Sequence, residues 1–183
     1  IARIIQLPSG QIVNSLKNSI QIRNPYTGVI IRNLTGHKNE PVTFAYLPKH
    51  GILASGSKDF TIRLWNITNG ALIKTLTGHK DVVINLVVLL NGYLASGGGW
   101  YDMTVKIWNP DNKFSLVRSI TFSGLQSIAG MTLLKNGNLV IGDNWPGDIF
   151  IINPNNGSMV RQISSAHSKP IWNIVVMSNG NFI

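Results

Sequence analysis

His37, Ser55 and Asp59 stand in one segment of the chain, and His79, Ser96 and Asp102 stand in another. A histidine base, a hydroxyl nucleophile and an orienting carboxylate are the parts of a hydrolase triad. That chemistry needs the base within hydrogen-bond reach of an exposed nucleophile, and an oxyanion hole. Each set is followed by a tryptophan, Trp65 and Trp108, and the two sets recur in step. A constellation duplicated at one period reads as structure rather than as catalysis, so no enzyme activity is expected. Metal binding reads no better, because His37, His79 and His167 are far apart and lack ligand spacing. Gly97-Gly98-Gly99 follows a strand pattern, but no helix pattern comes after it to hold an anion. It reads as a widened turn. No cofactor is expected.

The elements that must position these residues come from the repeat. Leu53–His79 reads as strand, turn at Lys58-Asp59, strand, Asn69-Gly70 hairpin, strand, then a Gly-His corner. Thr35-Gly36-His37 precedes Thr77-Gly78-His79 by 42 residues, and Leu53–Gly56 precedes Leu94–Gly97 by 41. Ile62–Asn66 precedes Val105–Asn109 by 43, and the turns at Gly10, Gly51 and Gly92 are 41 apart. Several anchors agreeing on one period indicate a repeat array.

With the repeat as ruler, four strands fall in each unit. They are Ala2–Leu7, Gln11–Leu16, Ser19–Arg23 and Val29–Leu34 in the first, and Val42–Leu47, Ile52–Ser57, Phe60–Trp65 and Ala71–Leu76 in the second. The third has Val82–Leu89, Tyr93–Gly97, Thr104–Trp108 and Leu116–Thr121, and the fourth Ser127–Leu134, Leu139–Gly142, Ile149–Ile152 and Met159–Ile163. A fifth begins with Ile171–Met177 and Asn181–Ile183. Essentially no helix is expected, and the chain reads as one array rather than two domains.

The Gly-His pair, the Ser-Gly strand, the Asp turn and the terminal Trp resemble a WD-repeat β-propeller. The resemblance covers nearly the whole chain and is sharpest in the second and third units. It implies an all-β fold of four-stranded antiparallel blades, about four complete plus the start of a fifth, as a partial or open propeller. Blades are expected at about 1–36, 37–78, 79–123 and 124–166, with a partial one at 167–183. The sequence departs from the family pattern in places. Asn66 and Asn109 replace the Asp of the Trp-Asp pair, Arg23 and Ile152 take the Trp position, and Ser123-Gly124-Leu125 replaces a Gly-His corner. The resemblance implies that His37, Ser55, Asp59 and Trp65, and likewise His79, Ser96, Asp102 and Trp108, form hydrogen-bonded chains inside their blades. Either Ser55 or Ser57 could be the hydroxyl of the second unit, and Ser55 is favoured.

The 183 residues are 44% hydrophobic and 13% charged, enough for a packed core rather than a disordered chain. Cysteine is absent, so no disulfide frame or thiolate site exists, and a reducing compartment, cytoplasmic or nuclear, is the expectation. No apolar run reaches membrane-helix length. Ile1 is not an initiator Met and the fifth unit stops in its second strand, so the chain reads as a fragment of a larger propeller. Unpaired blade edges would then favour self-association. Of the net charge of +9, residues 1–80 carry ten Lys/Arg against two Asp/Glu. That bias suits an acidic protein or peptide partner, or else nucleic acid or anionic lipid.

In a four-stranded blade the turn between strands two and three shares a face with the link to the next blade. Lys17, Lys38, Lys58, Lys80, Trp100, Tyr101, Trp145 and Lys169 fall at those positions, and in the family such rim positions contact partners. The reading is a non-enzymatic interaction scaffold that docks an acidic or phosphorylated segment there. Nucleic-acid or anionic-lipid binding through the basic first half is the alternative.

Overall fold

The structure, a computed structural model, describes residues 4–122, 124–145, 147–169, 171, 174–177 and 181–182. Among these described residues sixteen strands form four sheets of four, each an antiparallel meander in chain order. The first holds β1 (Ile5–Gln6), β2 (Ile12–Leu16), β3 (Ser19–Arg23) and β4 (Ile30–Thr35). The second holds β5 (Pro41–Leu47), β6 (Ile52–Ser57), β7 (Ile62–Asn66) and β8 (Leu72–Leu76). The third holds β9 (Val83–Val88), β10 (Leu94–Gly98), β11 (Thr104–Asn109) and β12 (Ser115–Thr121). The fourth holds β13 (Ile128–Leu133), β14 (Leu139–Asp143), β15 (Ile149–Ile152) and β16 (Met159–Ile163).

Among the described residues helix is confined to one 3-10 turn, Pro110–Asn112, seated on the Asn109 side chain. The first strand is shorter than the expected Ala2–Leu7, whose start lies outside the described residues. Of the fifth unit, an antiparallel bridge between Val176 and Phe182 is described. Asn179-Gly180 and Ile183 lie outside the described residues.

Two compact units divide the chain, residues 1–86 and 87–183. In the first, Val13, Ile20, Ile22 and Leu34 of the first blade pack against Phe44, Leu53 and Trp65 of the second. In the second, Val105, Ile107 and Ile120 pack against Met131, Leu139, Ile141 and Phe150. Central strands therefore bury both faces, and β6 is buried at all six positions. This explains why Ile52–Ser57 reads as a continuous run of small and apolar residues rather than an alternation.

Outer strands behave differently. β4, β8, β12 and β16 each carry a register shift near their start. An exposed apolar pair sits at each shift: Ile30-Ile31, Leu72-Ile73, Leu116-Val117 and Met159-Val160. A basic residue follows every pair, namely Arg32, Lys74, Arg118 and Arg161. A bulge and a cation protect an edge strand from unwanted pairing.

The Asn69-Gly70 signal is realised in a longer form than a two-residue hairpin. Asn66 Oδ1 accepts from Thr68 N at 2.8 Å, and Gly70 N donates to Asn66 O at 2.8 Å. The loop is thus five residues, closed by Gly70 at φ 78°. Asn66, in place of Asp, works here as a turn cap, because its amide oxygen accepts from the backbone as a carboxylate would.

Candidate functional site

Strands β6 and β7 and the corner before β5 bring His37, Ser55, Asp59 and Trp65 together. The Trp65 indole Nε1–H donates to Ser55 Oγ at 2.9 Å. Ser55 Oγ lies 2.8 Å from His37 Nε2, and His37 Nδ1 lies 2.7 Å from Asp59 Oδ2. Asp59 also accepts from Lys38 N at 2.9 Å, and from the Thr61 amide and hydroxyl at 3.0 and 2.6 Å. With His37 neutral, indole and carboxylate fix the proton order, and Arg63 O at 3.3 Å is a second acceptor within reach of the Ser55 hydroxyl. Trp65 donates to Ser55, Ser55 donates to His37 Nε2, and His37 Nδ1–H donates to Asp59.

Burial lowers the pKa of His37, outweighing the pull of Asp59 in the opposite sense. For Asp59 burial acts to raise the pKa. The Thr61 hydroxyl, the His37 ring and the Lys38 amide overcome it and hold the value at about 2. The pair is therefore neutral imidazole beside carboxylate. Ser55 has no solvent exposure, and its oxygen is held by Trp65, so a substrate has no path to the Ser55 hydroxyl. Ser57 is engaged elsewhere. It donates toward Asn39 O and Glu40 O and accepts from Asp59 N at 3.1 Å.

In the third blade Trp108 Nε1 donates to Ser96 Oγ at 2.9 Å, and Thr104 Oγ1 donates to Asp102 Oδ1 at 2.6 Å. Ser96, Asp102 and His79 are all buried. Asn109 Oδ1 caps its turn through Asp111 N at 2.9 Å.

The fourth blade replaces the polar chain with an apolar one. Strand register sets Ile141 at the place of Ser55 and Ile152 at that of Trp65. Leu125 takes the place of His37, and all three are buried in one cluster. Replacing every partner together leaves no orphaned polar group, so the exchange is cheap. Ser123 lies outside the described residues. Two buried carboxylates that sequence reasoning missed tie this blade instead. Asp143, at the Ser57 position, accepts from Ser127 N at 3.1 Å and Asn144 N at 2.7 Å, and also from Gln126 N. Asp148 accepts from Ser165 N at 2.7 Å and Gln162 Nε2 at 3.1 Å. In the first blade Arg23, at the Trp position, binds Gln21 Oε1 and Gly28 O.

Hydrogen bonds link the segments that carry Lys17, Lys38 and Lys58 in the first unit. Asn18 Nδ2, beside Lys17, donates to Lys38 O at 3.2 Å, and Lys38 N reaches Asp59, beside Lys58. Lys17, Lys38, Lys58 and Lys80 are exposed. Lys58 is not a free cation, because its Nζ pairs with Glu40 Oε2 at 2.6 Å. An open cleft lies alongside, lined by Lys17, Asn18, Gln21, Asn33, His37 and Asn39 among others.

In the second unit Trp100 and Trp145 are half-exposed at strand two–three turns, and Tyr101 is 84% exposed. His167 is exposed, its ring Nδ1 lies 3.2 Å from Lys169 N, and its backbone N donates to Gly147 O at 3.2 Å. It does not repeat the buried role of His37. Among the described residues no three His, Cys, Asp or Glu side chains gather as a metal site. None of the described helical segments is long and apolar enough to cross a membrane.

Residues 28–66 and 70–109 match the family model "WD domain, G-beta repeat". Each match joins the fourth strand of one blade to the first three of the next. The chain is 35% identical over 92 residues to "Nuclear distribution protein PAC1" of Tuber melanosporum, across 46% of this chain and 19% of that protein. It is 40% identical over 63 residues to "Periodic tryptophan protein 2 homolog" of Neurospora crassa, across 33% of this chain and 7% of that one. The crystal structure of the WD40 β-propeller domain of Doa1 superposes with a TM-score of 0.80 at 24% identity, over 96% of this chain and 57% of that chain. The chain thus spans only part of each protein it matches. Its two matched segments are thus WD repeats, and its four-stranded blades have the fold of a WD40 β-propeller.

Proposed function

We propose that this protein is a non-enzymatic scaffold that docks an acidic or phosphorylated peptide on the rim of its first unit. WD40 propellers are in general protein-interaction scaffolds, and the finer reading rests on one observation. Hydrogen bonds through Asn18, Lys38 and Asp59 link the segments that carry Lys17, Lys38 and Lys58, beside a cleft lined by the amides of Asn18, Gln21, Asn33 and Asn39 and by Glu40. Amides and ammonium groups suit a segment rich in carboxylate or phosphate oxygens. The Glu40–Lys58 pair would open when a stronger anion competes for Lys58. Lys80 and the aromatic tips Trp100, Tyr101 and Trp145, with Lys169, are proposed as further partner-contacting positions. The proposed compartment is cytoplasmic or nuclear, and the chain is proposed to be part of a larger propeller.

The test is titration of acidic and phosphoserine-bearing peptides into the wild type and into a Lys17→Ala, Lys38→Ala, Lys58→Ala, Lys80→Ala variant. Loss of binding with an unchanged melting temperature supports the reading, and unchanged binding rejects it. The charge bias of residues 1–80 supports a second reading, a nucleic-acid or anionic-lipid surface. That reading requires affinity for a duplex or an anionic vesicle that falls steeply with salt.

A further inference from the structure

At the end of the first two blades opposite the rim lysines lies a cavity of about 250 Å³. It sits between the β1–β2 turn of the first blade and the β7–β8 turn of the second, with the start of β4 along one side. Its walls are apolar, from Leu7, Ile31, Tyr46 and Ile67, and Arg32 is the one charged residue among the described residues that line it. Ser9 and Gln11 add a hydroxyl and an amide to the lining.

The guanidinium is held in place before anything binds. Arg32 Nη2 donates to Thr68 O, and Thr68 N donates to the capping Asn66 Oδ1 at 2.8 Å. The arginine stem lies against Gly70, where a Cβ would stand 3.4 Å from Arg32 Cδ. Arg32 Nε and Nη1, the Ser9 hydroxyl and the Gln11 side-chain amide make no hydrogen bond among the described residues.

The matching place in the second unit is bridged. The turns Leu7–Gln11 and Leu89–Tyr93 share the same backbone bonds, so Ser9 corresponds to Asn91. Thr68 corresponds to Asn155, each two residues after a capping asparagine. Arg118 donates to Asn155 O as Arg32 does to Thr68 O. There, however, Asn91 Nδ2 also donates to Asn155 Oδ1 at 3.3 Å and ties the two turns together. Ser9 and Thr68 carry shorter side chains and make no such bridge, which leaves the space open in the first unit.

We propose that this cavity binds the free C-terminus of a partner chain that ends in an apolar residue, with the last side chain against the apolar walls and its α-carboxylate on Arg32. An apolar cavity with a fixed guanidinium and two further donors suits a group that is apolar on one side and a carboxylate on the other. Its volume of about 250 Å³ lies below the roughly 300–1,000 Å³ that holds a drug-sized ligand, so it takes one residue. Only a C-terminal residue carries a carboxylate and an apolar side chain on the same Cα. An internal aspartate or glutamate needs a second residue to fill the walls. Because Arg32 is already positioned, little side-chain freedom is lost on binding.

The probe is the peptide acetyl-Gly-Ser-Gly-Leu with a free C-terminal carboxylate, titrated into the isotope-labelled 183-residue chain and followed by amide NMR shifts. Saturable shifts at Gln11, Ile31, Arg32 and Thr68 are expected. The same peptide with a C-terminal carboxamide should bind about tenfold more weakly or worse, the worth of one charge-assisted hydrogen bond. Arg32→Gln should weaken the free-acid peptide by a similar factor. Since Arg32 also holds Thr68, a second variant leaves it in place. Ser9→Asn with Thr68→Asn installs the bridge of the second unit and should abolish binding without lowering the melting temperature. Absence of binding, equal binding of the carboxamide, or binding indifferent to both variants overturns the proposal. Loss of binding in the Lys17, Lys38, Lys58 and Lys80 alanine variant would place the peptide on the rim and overturn it too. So would equal binding of an acetylated and amidated peptide with an internal Leu-Asp pair, because the site would then read an acidic side chain.

Discussion

Trp65 and Ser55 meet across β7 and β6, the indole N–H 2.9 Å from the hydroxyl oxygen, with both side chains buried. Ser55 is the middle of a chain whose ends are fixed donors and acceptors. Ser55→Ala leaves the Trp65 N–H and His37 Nε2 without partners. Each orphaned buried group costs about 1–3 kcal/mol, so a loss of about 2 kcal/mol or more is expected in urea unfolding. Ser57→Ala, which removes bonds to the Asn39–Glu40 corner, should cost less. A larger loss from Ser57→Ala would contradict the assignment.

The ionisation of His37 and Asp59 makes stability depend on pH with a definite sign. Burial holds the His37 pKa below its ordinary 6.5. Below that pH the unfolded chain takes up a proton that the folded chain refuses. Stability is therefore full above pH 6.5 and declines as the pH falls through the folded value. Asp59 adds a lower step, because its pKa of about 2 lies under the usual 3.8. Its contribution is complete above the usual value and is lost as the pH falls toward about 2. Melting temperatures from pH 8 to pH 2 should show both declines, and His37→Gln should remove the upper one.

Gly56 is required by space, not by backbone angle. A Cβ there would stand 2.7 Å from Thr43 Cγ2, 2.7 Å from Val83 Cγ1 and 2.9 Å from Val83 O. Gly56→Ala should destabilise by about 1–3 kcal/mol, as overpacking does. Gly51→Ala meets nothing within 4 Å and suffers only from its φ of 62°, so its cost should come from the left-handed backbone, about 1 kcal/mol. Denaturant midpoints of the two variants separate these causes.

Asp143 carries in the fourth blade what a polar chain carries in the second. Asp143→Ala strands the amides of Ser127 and Asn144 and should cost about 3 kcal/mol or more. Asp143→Asn keeps one acceptor oxygen and should cost less. Hydrogen exchange should show faster loss of the Ser127 and Asn144 amides in Asp143→Ala than elsewhere in the blade.

Strand order and strand positions were legible in the sequence because each depends on local pattern. Alternation, Gly turns and a repeat near 42 residues are properties of neighbours along the chain. The asparagines at the Trp-Asp position were legible as departures, but their turn-capping role was not. The Lys58–Glu40 pair was hidden because the partners are brought together by the pairing of β5 with β6 and by the bond from Lys58 N to Glu40 O at 3.0 Å.

Sequence alone determined a repeat of four-stranded blades, since periodicity survives without coordinates, and it named His37, Ser55, Asp59 and Trp65 as one set. Tertiary structure decided which serine joins the chain, that Ser55 is sealed from solvent, and that Leu125, Ile141 and Ile152 replace the polar set as a group. It also revealed that Arg32 and Arg118 each donate to a turn carbonyl of the next blade, Thr68 O and Asn155 O. Those contacts join residues 36 or 37 positions apart in different blades. Nothing in local pattern reports such a meeting, because it exists only once one blade is laid against the next.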